Sequence, residues 1–274
     1  MKPVILFRSP DKHPQYEDEL VCARENFDVI TSRMVAPKDS IVIGRYSVLP
    51  YYKELEEDLK YNNSKLINSY RQHRWIADLS NWYLDFMDIT PKTWFQLHEI
   101  PNDGTQFVLK GETNSRKYDW KTHMFAANKE AAGVVYSNLM KDSLISSQSI
   151  YIREYVPLMT LRIDATGLPI TEEYRFFILY GQIVSAGFYW SSHAELLDEP
   201  EFSHINPKQV PQEFLADICE RVKDYANFVV VDIARTVKGQ WIVIELNDGQ
   251  CSGLSENKPE VLYSNMKSVM ENRV

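Results

Sequence analysis

Nothing in this chain spells out a metal cage or a covalent nucleophile. Its three cysteines, Cys22, Cys219 and Cys251, stand far apart without ligand spacing. They read as reduced, mostly structural thiols. The six histidines, His13, His73, His98, His123, His193 and His204, form neither an HxH nor an HExxH pattern. No zinc site is therefore legible in the spacing. A Ser/His/Asp or Cys/His arrangement is missing as well. Lys and Arg are scattered, without a basic block, on a chain of net charge −8. That balance argues against nucleic acid as a partner. No run approaches the roughly 18 to 20 unbroken apolar residues of a membrane span. Met1 to Arg8 is a short apolar run met quickly by charge, without the long core and cleavage site of a secretory signal. The expected location is the cytoplasm.

What is present suits a packed globular protein. Hydrophobic residues make up 44% of 274 positions and aromatics 12%, enough for a sizeable core in one compound unit or two to three small domains. The first part alternates strand and helix: strands at Pro3–Phe7, Phe27–Ile30 and Ser40–Gly44, helices over Pro14–Arg24 and about Pro50–Lys60. This order predicts a small open α/β domain with a parallel sheet. Ile67, Tyr70, Trp75, Leu79, Trp82 and Phe86 recur at helical spacing and predict one helix over 64–86, its aromatic stripe packed in a core. From Gln106 the chain turns strand-rich. Strands are expected at 107–110, 149–156, 174–180, 182–190, 229–234 and 241–246, with helices over 126–141, 211–228 and 259–271. Tyr180-Gly181-Gln182 reads as a hairpin turn, and the polar stretch 191–208 as a mobile loop.

Four segments carry chemistry. In the first, Asp232 interrupts the apolar run Val229–Ala234, and Glu245 and Asn247 sit two apart at the end of a second apolar run. Residues two apart in a strand share a face. A hairpin would set Asp232 beside them, and three such oxygen donors suit Mg²⁺. The plain alternative is a surface hairpin, but acids in Val/Ile-rich strands are costly without a partner. The second segment ends an apolar strand at Lys110 and enters a polar loop with Glu112, Asn114, Ser115, Arg116 and Lys117. A lysine there suits phosphate as a point charge. In the third, Tyr151–Pro157, a strand passes into a proline-marked connection whose backbone at Glu154, Tyr155 and Val156 can meet an adenine edge. In the fourth, Glu173 and Arg175 share a strand face. The guanidinium suits phosphate or carboxylate; a same-strand surface ion pair reads equally well, worth at most about 1 kcal/mol.

The order of these pieces resembles the ATP-grasp superfamily, from Ile89–Thr93 through Lys110, Glu154, Glu173–Arg175 and Asp232 to Glu245-x-Asn247. Asp232 precedes Glu245 by 13 residues, as in ATP-grasp ligases such as D-alanine–D-alanine ligase. Val42–Ser47, Lys110–Ser115 and Ile152–Tyr155 look most like the R2K branch met in bacteria and phages. The resemblance covers nearly the whole chain and implies an α/β (α+β) ATP-grasp fold. A small open α/β pre-ATP-grasp domain would span 1–88, and the nucleotide-binding and catalytic region 89–274.

It implies a ligase using ATP and Mg²⁺ to join a carboxylate to an amine through an acyl phosphate. The substrate pair would be carried by a small molecule, a peptide or a protein. Lys110, Glu112, Ser115, Lys117, Glu154, Tyr155 and Val156 would hold the nucleotide. Asp232, Glu245 and Asn247 would hold the metal, and Arg175 and Arg235 would serve catalysis. Arg45, after its own apolar strand, would face the cleft with Arg235 and bind the acceptor, or else pair within its domain. An earlier nucleotide lysine common in the family has two substitutes here, Lys92 and Arg74. An ATP-binding assembly protein and an ATP-grasp kinase are the rival readings.

Overall fold

A computed structural model describes residues 1–8 and 14–273. Strands β1 (Lys2–Phe7), β2 (Asp28–Ile30), β3 (Ser40–Arg45) and β4 (Lys65–Leu66) form a parallel sheet in the order β2-β1-β3-β4. Helices α1 (Glu17–Asn26) and α2 (Tyr52–Lys60) cover it. Ile5, Phe7 and Ile43 pack with Leu20 and Ala23 of α1, while Leu6 and Val42 pack with Leu55 and Leu59 of α2. Both faces are buried, which is why β1 reads as an unbroken apolar run.

The single helix expected over 64–86 is broken. Lys65–Leu66 is strand, and Ile67 packs with the first sheet. Helix α3 (Tyr70–Ala77) starts at a capping box made by Ser69 and Gln72, and α4 (Leu79–Phe86) follows at once. Asp78 makes the break: it is extended, and its side chain accepts from the Ser80 N–H, capping the second helix. Ile76, Leu79, Trp82 and Phe86 then enter the core of a later sheet.

Strands β5 (Thr93–Trp94), β6 (Phe107–Gly111), β7 (Phe125–Ala126) and β8 (Ile150–Glu154) form an antiparallel sheet in the order β5-β8-β6-β7. Helix α5 (Lys129–Leu139), capped by Asn128, packs on it through Ala132, Val135 and Leu139. A small hairpin, β9 (Thr160–Ile163) and β10 (Pro169–Thr171), leads to the largest sheet. That sheet contains β11 (Glu173–Leu179), β12 (Gln182–Phe188), β13 (Phe228–Arg235) and β14 (Trp241–Asp248), antiparallel, in the order β12-β11-β13-β14. The β11–β12 turn has Tyr180 and Gly181 both at positive φ, 50° and 74°, the pairing that matches the twist of a tight hairpin.

Helix α6 (Gln212–Val222) covers one face of this sheet and α7 (Pro259–Glu271) the other. The stretch 191–208, expected as a mobile loop, is three short 3₁₀ segments. Leu196, Phe202 and Ile205 anchor it in the core, so its apolar residues override its polar composition. Among the described residues no helix is long and apolar enough to cross a membrane.

Candidate active site

Strand β13 explains how carboxylates come to lie in a core. Val229, Val231 and Ile233 fill one face of the sheet with α6, and Phe228 and Val230 fill the other with α7. Asp232 continues this second face but lies past its apolar packing. Register then sets Arg175 of β11 and Glu245 of β14 on either side of it. A β-bulge completes the row. Ile233 pairs with Val243 but Asp232 pairs with Glu245, so Ile244 is the extra residue. Without it Glu245 would fall on the opposite face from Asp232, because side chains alternate. Arg153 of β8 holds the bulge, donating to the Ile244 carbonyl and, at 2.7 Å, to Thr90 Oγ1. Thr90 in turn donates to the Val243 carbonyl at 2.7 Å.

Opposite this row, Lys110 near the end of β6 ion-pairs with Glu245 across the gap between sheets. Arg175 grips Asp232 with two bonds of 2.8 Å, Nε to Oδ1 and Nη2 to Oδ2. Lys117, in the loop after β6, donates to the Tyr189 hydroxyl and lies over the rings of Tyr189 and Trp190, 4.2 and 5.0 Å from their centres. The Arg175 guanidinium lies 4.9 Å from the same Tyr189 ring. Three cations and the carboxylates of Glu173, Asp232 and Glu245 thus surround one aromatic wall.

These charges govern one another. Burial alone would raise the Glu245 carboxyl, but Lys110, Lys117 and Arg175 outweigh it and hold the group at about 2. Glu173 is raised to about 7, chiefly by burial and further by Asp232 and Glu245, against the opposing pull of Lys117 and Arg175. Lys117 loses by burial but gains more from Tyr189, Glu173 and Glu245, and stays above the ordinary lysine range. Arg153 is lowered to about 10 by burial.

The cleft between the two sheets runs from Lys110, Lys117, Glu173 and Glu245 to the connector Glu154–Val156. It encloses about 930 Å³ including its open mouth. Val108, Trp120, Met124, Leu168, Ile242 and Ile244 give it apolar walls. The Glu154 and Tyr155 N–H groups bond to the Lys92 and Gln106 carbonyls at 2.8 Å each. Those bonds fix the path of the connector.

Lys110, Ser115, Lys117, Glu154, Tyr155, Val156 and Glu245 all line this cleft, with Asp232 next to Glu245 in the sheet and Arg175 next to Asp232. Asn247 follows Glu245 on the same strand face, beyond the cleft lining and opposite Val230.

Three expected placements are corrected. Glu112 turns away and accepts from Arg74 at 2.9 Å, so these two satisfy each other outside the cleft. Arg45 is fully buried: Nε pairs with Glu19 at 2.8 Å, Nη1 donates to the Gly249 carbonyl, and Nη2 donates to Tyr46 at 2.9 Å. It has no face toward an acceptor. Arg235, three residues from Asp232, lies on the other face of β13, 3.6 Å from Glu172 and over Trp241. An odd separation along a strand forbids it from sharing the face of Asp232. Lys92 lies over Trp94 and contributes its carbonyl to the connector. Sequence reasoning missed Arg153, Tyr189, Trp190 and the Ile244 bulge. Their partners lie on other strands, so no local pattern flags them.

The family model of the ATP-grasp domain, R2K clade family 3, matches residues 101–266, and the chain belongs to that family. Solved structures share the fold at low identity. D-cycloserine synthetase DcsG superposes with TM-score 0.60 at 13% identity, covering 98% of this chain and 99% of that one. The ATP-grasp ligase PsnB, complexed with minimal precursor, Mg and ADP, superposes with TM-score 0.60 at 12% identity and 98% coverage of both chains. A Chryseobacterium gregarium RiPP-associated ATP-grasp ligase, in complex with ADP and a leader and core peptide, gives TM-score 0.61 at 10% identity, covering 100% and 98%. Curated protein sequences gave no match.

Proposed function

We propose that this protein is an Mg-ATP-dependent ligase that activates a carboxylate as an acyl phosphate and passes it to an amine. The observation that carries the reading is the row Arg175–Asp232–Glu245 facing Lys110 and Lys117 at one end of an apolar-walled cleft. Membership of the ATP-grasp family supports it. The adenine would lie among Val108, Met124, Leu168 and Ile242, its edge against the Glu154–Val156 backbone. The phosphates would run toward Lys110 and Lys117.

The donor set fits magnesium. Asp232, Glu245 and Asn247 offer hard oxygens on one face of the sheet, and the Glu245 carboxyl that pairs with Lys110 is held ionised. Bound there, the ion would neutralise phosphate charge. The rest falls to the chain. A substrate carboxylate oxygen attacks the γ-phosphorus and ADP leaves. Arg175 stabilises charge on the transferring group, and Lys110 and Lys117 screen the phosphates. The amine then attacks the acyl carbon, phosphate leaves, and the nitrogen gives up a proton. No covalent nucleophile is required; positioning and fixed charge do the work.

Peptide-bound ligases and a small-molecule synthetase both share the fold, so the acceptor pair is proposed only as a carboxylate and an amine. The division at residue 88 and a cytoplasmic location stand as proposals. Incubating the protein with Mg-ATP and a pooled set of acids, amines and peptides, read by mass spectrometry, tests the reaction. ATP-dependent condensation products support the ligase. A stable phosphorylated product without an amine requirement makes it a kinase, and product-free binding of a protein partner an assembly factor.

A further inference from the structure

A second cluster of ligand-type side chains lies on the other face of β14, where the nucleotide reading places nothing. Asp248 directly follows Asn247, and strand alternation turns it away from the cleft toward α3. There it meets His73, whose Nδ1 lies 3.0 Å from Asp248 Oδ2. Cys251 comes round from the turn after β14. One ligand atom from each of the three lies within 4.8 Å of the others. This is the metal-type grouping found among the described residues outside the cleft.

We propose that His73, Asp248 and Cys251 form a binding site for a thiophilic divalent cation of the zinc class. The ligand set of thiolate, imidazole and carboxylate is one that Zn²⁺ accepts, with a fourth position left for water. With bonds of about 2.0 to 2.3 Å, tetrahedral ligand atoms lie about 3.2 to 3.6 Å apart. His73 Nδ1 and Asp248 Oδ2, 3.0 Å apart, would part slightly to admit the ion, and the Cys251 thiol, within 4.8 Å of the other ligand atoms, would move in. The ion would take the place of the proton now shared between Nδ1 and Oδ2.

The surroundings hold the ligands in place as outer-shell groups do. Asn68 Nδ2 and the Gln250 N–H donate to Asp248 Oδ1 at 2.9 and 3.0 Å, fixing the carboxylate plane. The Tyr52 ring stacks on His73 with centres 4.5 Å apart, fixing the imidazole. His73 and Asp248 are buried, whereas Cys251 is partly exposed and gives the ion its way in. Burial, with Asp248 beside it, keeps the free Cys251 thiol protonated, so uptake would release a proton. Sequence spacing gave no sign of this site because its ligands are 175 and 3 residues apart in order along the chain.

The test uses the full chain, free of magnesium and nucleotide, titrated with zinc chloride in a calorimeter and with cobalt chloride by absorption. One ion per chain is expected, with a thiolate-to-cobalt charge-transfer band. Cys251→Ser and His73→Gln should each weaken zinc binding by about 100-fold, the upper end of what losing even an outer-shell partner costs. Glu245→Gln should leave it unchanged. Thermal unfolding without zinc checks that the variants are folded, and the cobalt band on the unaltered protein needs no variant. Absence of the band, or zinc affinity that follows Glu245→Gln instead of Cys251→Ser, overturns the proposal.

Discussion

Two buried arginine–carboxylate pairs in this molecule look alike on paper and differ in every physical respect that matters. Arg45–Glu19 is closed. Tyr46 and Tyr263 also donate to Glu19, at 2.7 and 2.8 Å, and the remaining Arg45 nitrogens meet Gly249 and Tyr46. Its donors and acceptors are satisfied within the protein, as a structural pair requires. Arg175–Asp232 is open. It continues sideways into Glu245 and Lys110 and borders an apolar-walled cleft. Both arginines flank an apolar run in sequence, Arg45 after Ile41–Ile43 and Arg175 before Phe176–Leu179. What separates a staple from a site is whether the charge network is completed inside the fold or ends at a cavity.

The sharpest way to break that comparison is to disable the open network. Glu245→Gln removes the anion that pairs with Lys110 and a proposed magnesium donor. Turnover, once a substrate is in hand, should fall by about 100-fold or more, the scale of losing one fixed transition-state charge. Circular dichroism and the unfolding midpoint should change little. Full activity in this variant would remove the metal assignment. Asn247→Ala probes the same assignment from the end of the strand.

The closed pair predicts the reverse pattern. Arg45→Met leaves Glu19 buried without its cation and should cost about 3–5 kcal/mol of stability, read from urea unfolding. Nucleotide affinity of the folded fraction should hold. Lost ATP affinity at unchanged stability would mean that Arg45 belongs to the cleft after all.

A smaller effect is expected where the networks touch aromatics. Tyr189→Phe removes the hydroxyl that accepts from Lys117 but keeps the ring beneath Lys117 and Arg175. A single neutral partner of this kind contributes about 1 kcal/mol, so ADP affinity measured by calorimetry should weaken by no more than about tenfold. A collapse of affinity would show that Tyr189 does more than orient the lysine.

Much of this was legible beforehand, and the parts that were not share a cause. The apolar runs around Asp232 and Glu245 announced two buried strands, and the cost of burying acids there pointed to a site. The first parallel sheet followed from its alternating elements. The Asp78 break escaped because an aspartate inside an aromatic stripe looks like one polar position of a continuous helix. The Ile244 bulge escaped because both of its flanking registers are regular. Arg45 and Arg235 were misplaced for the same reason: the sequence shows that an arginine follows a strand, not which carboxylate waits for it. Glu19 and Glu172 are far from them in order but adjacent in space.

The subtlest contrast lies within the open network, in pH. Glu173, beside the open network, is raised to about 7, whereas an unfolded glutamate titrates near 4.5. Below the lower value both states are protonated and the group contributes nothing. Between the two values the folded chain keeps the proton that the unfolded chain has lost. The folded state then binds more protons, so this group makes stability decline as pH rises from about 4.5 to about 7, and the decline levels off above. Glu245, held at about 2, acts in the opposite sense in a lower window: stability is lost as pH falls from about 4.5 toward 2. The two windows do not overlap, so they can be read separately. Glu173→Gln should flatten the unfolding free energy between pH 5 and pH 7 and gain most on the parent protein at the upper end. The measurement is made without magnesium or nucleotide, since either would shift the balance of charge. An equal offset at all pH values would show that Glu173 ionises normally in the fold and that Lys117 and Arg175 already compensate its burial.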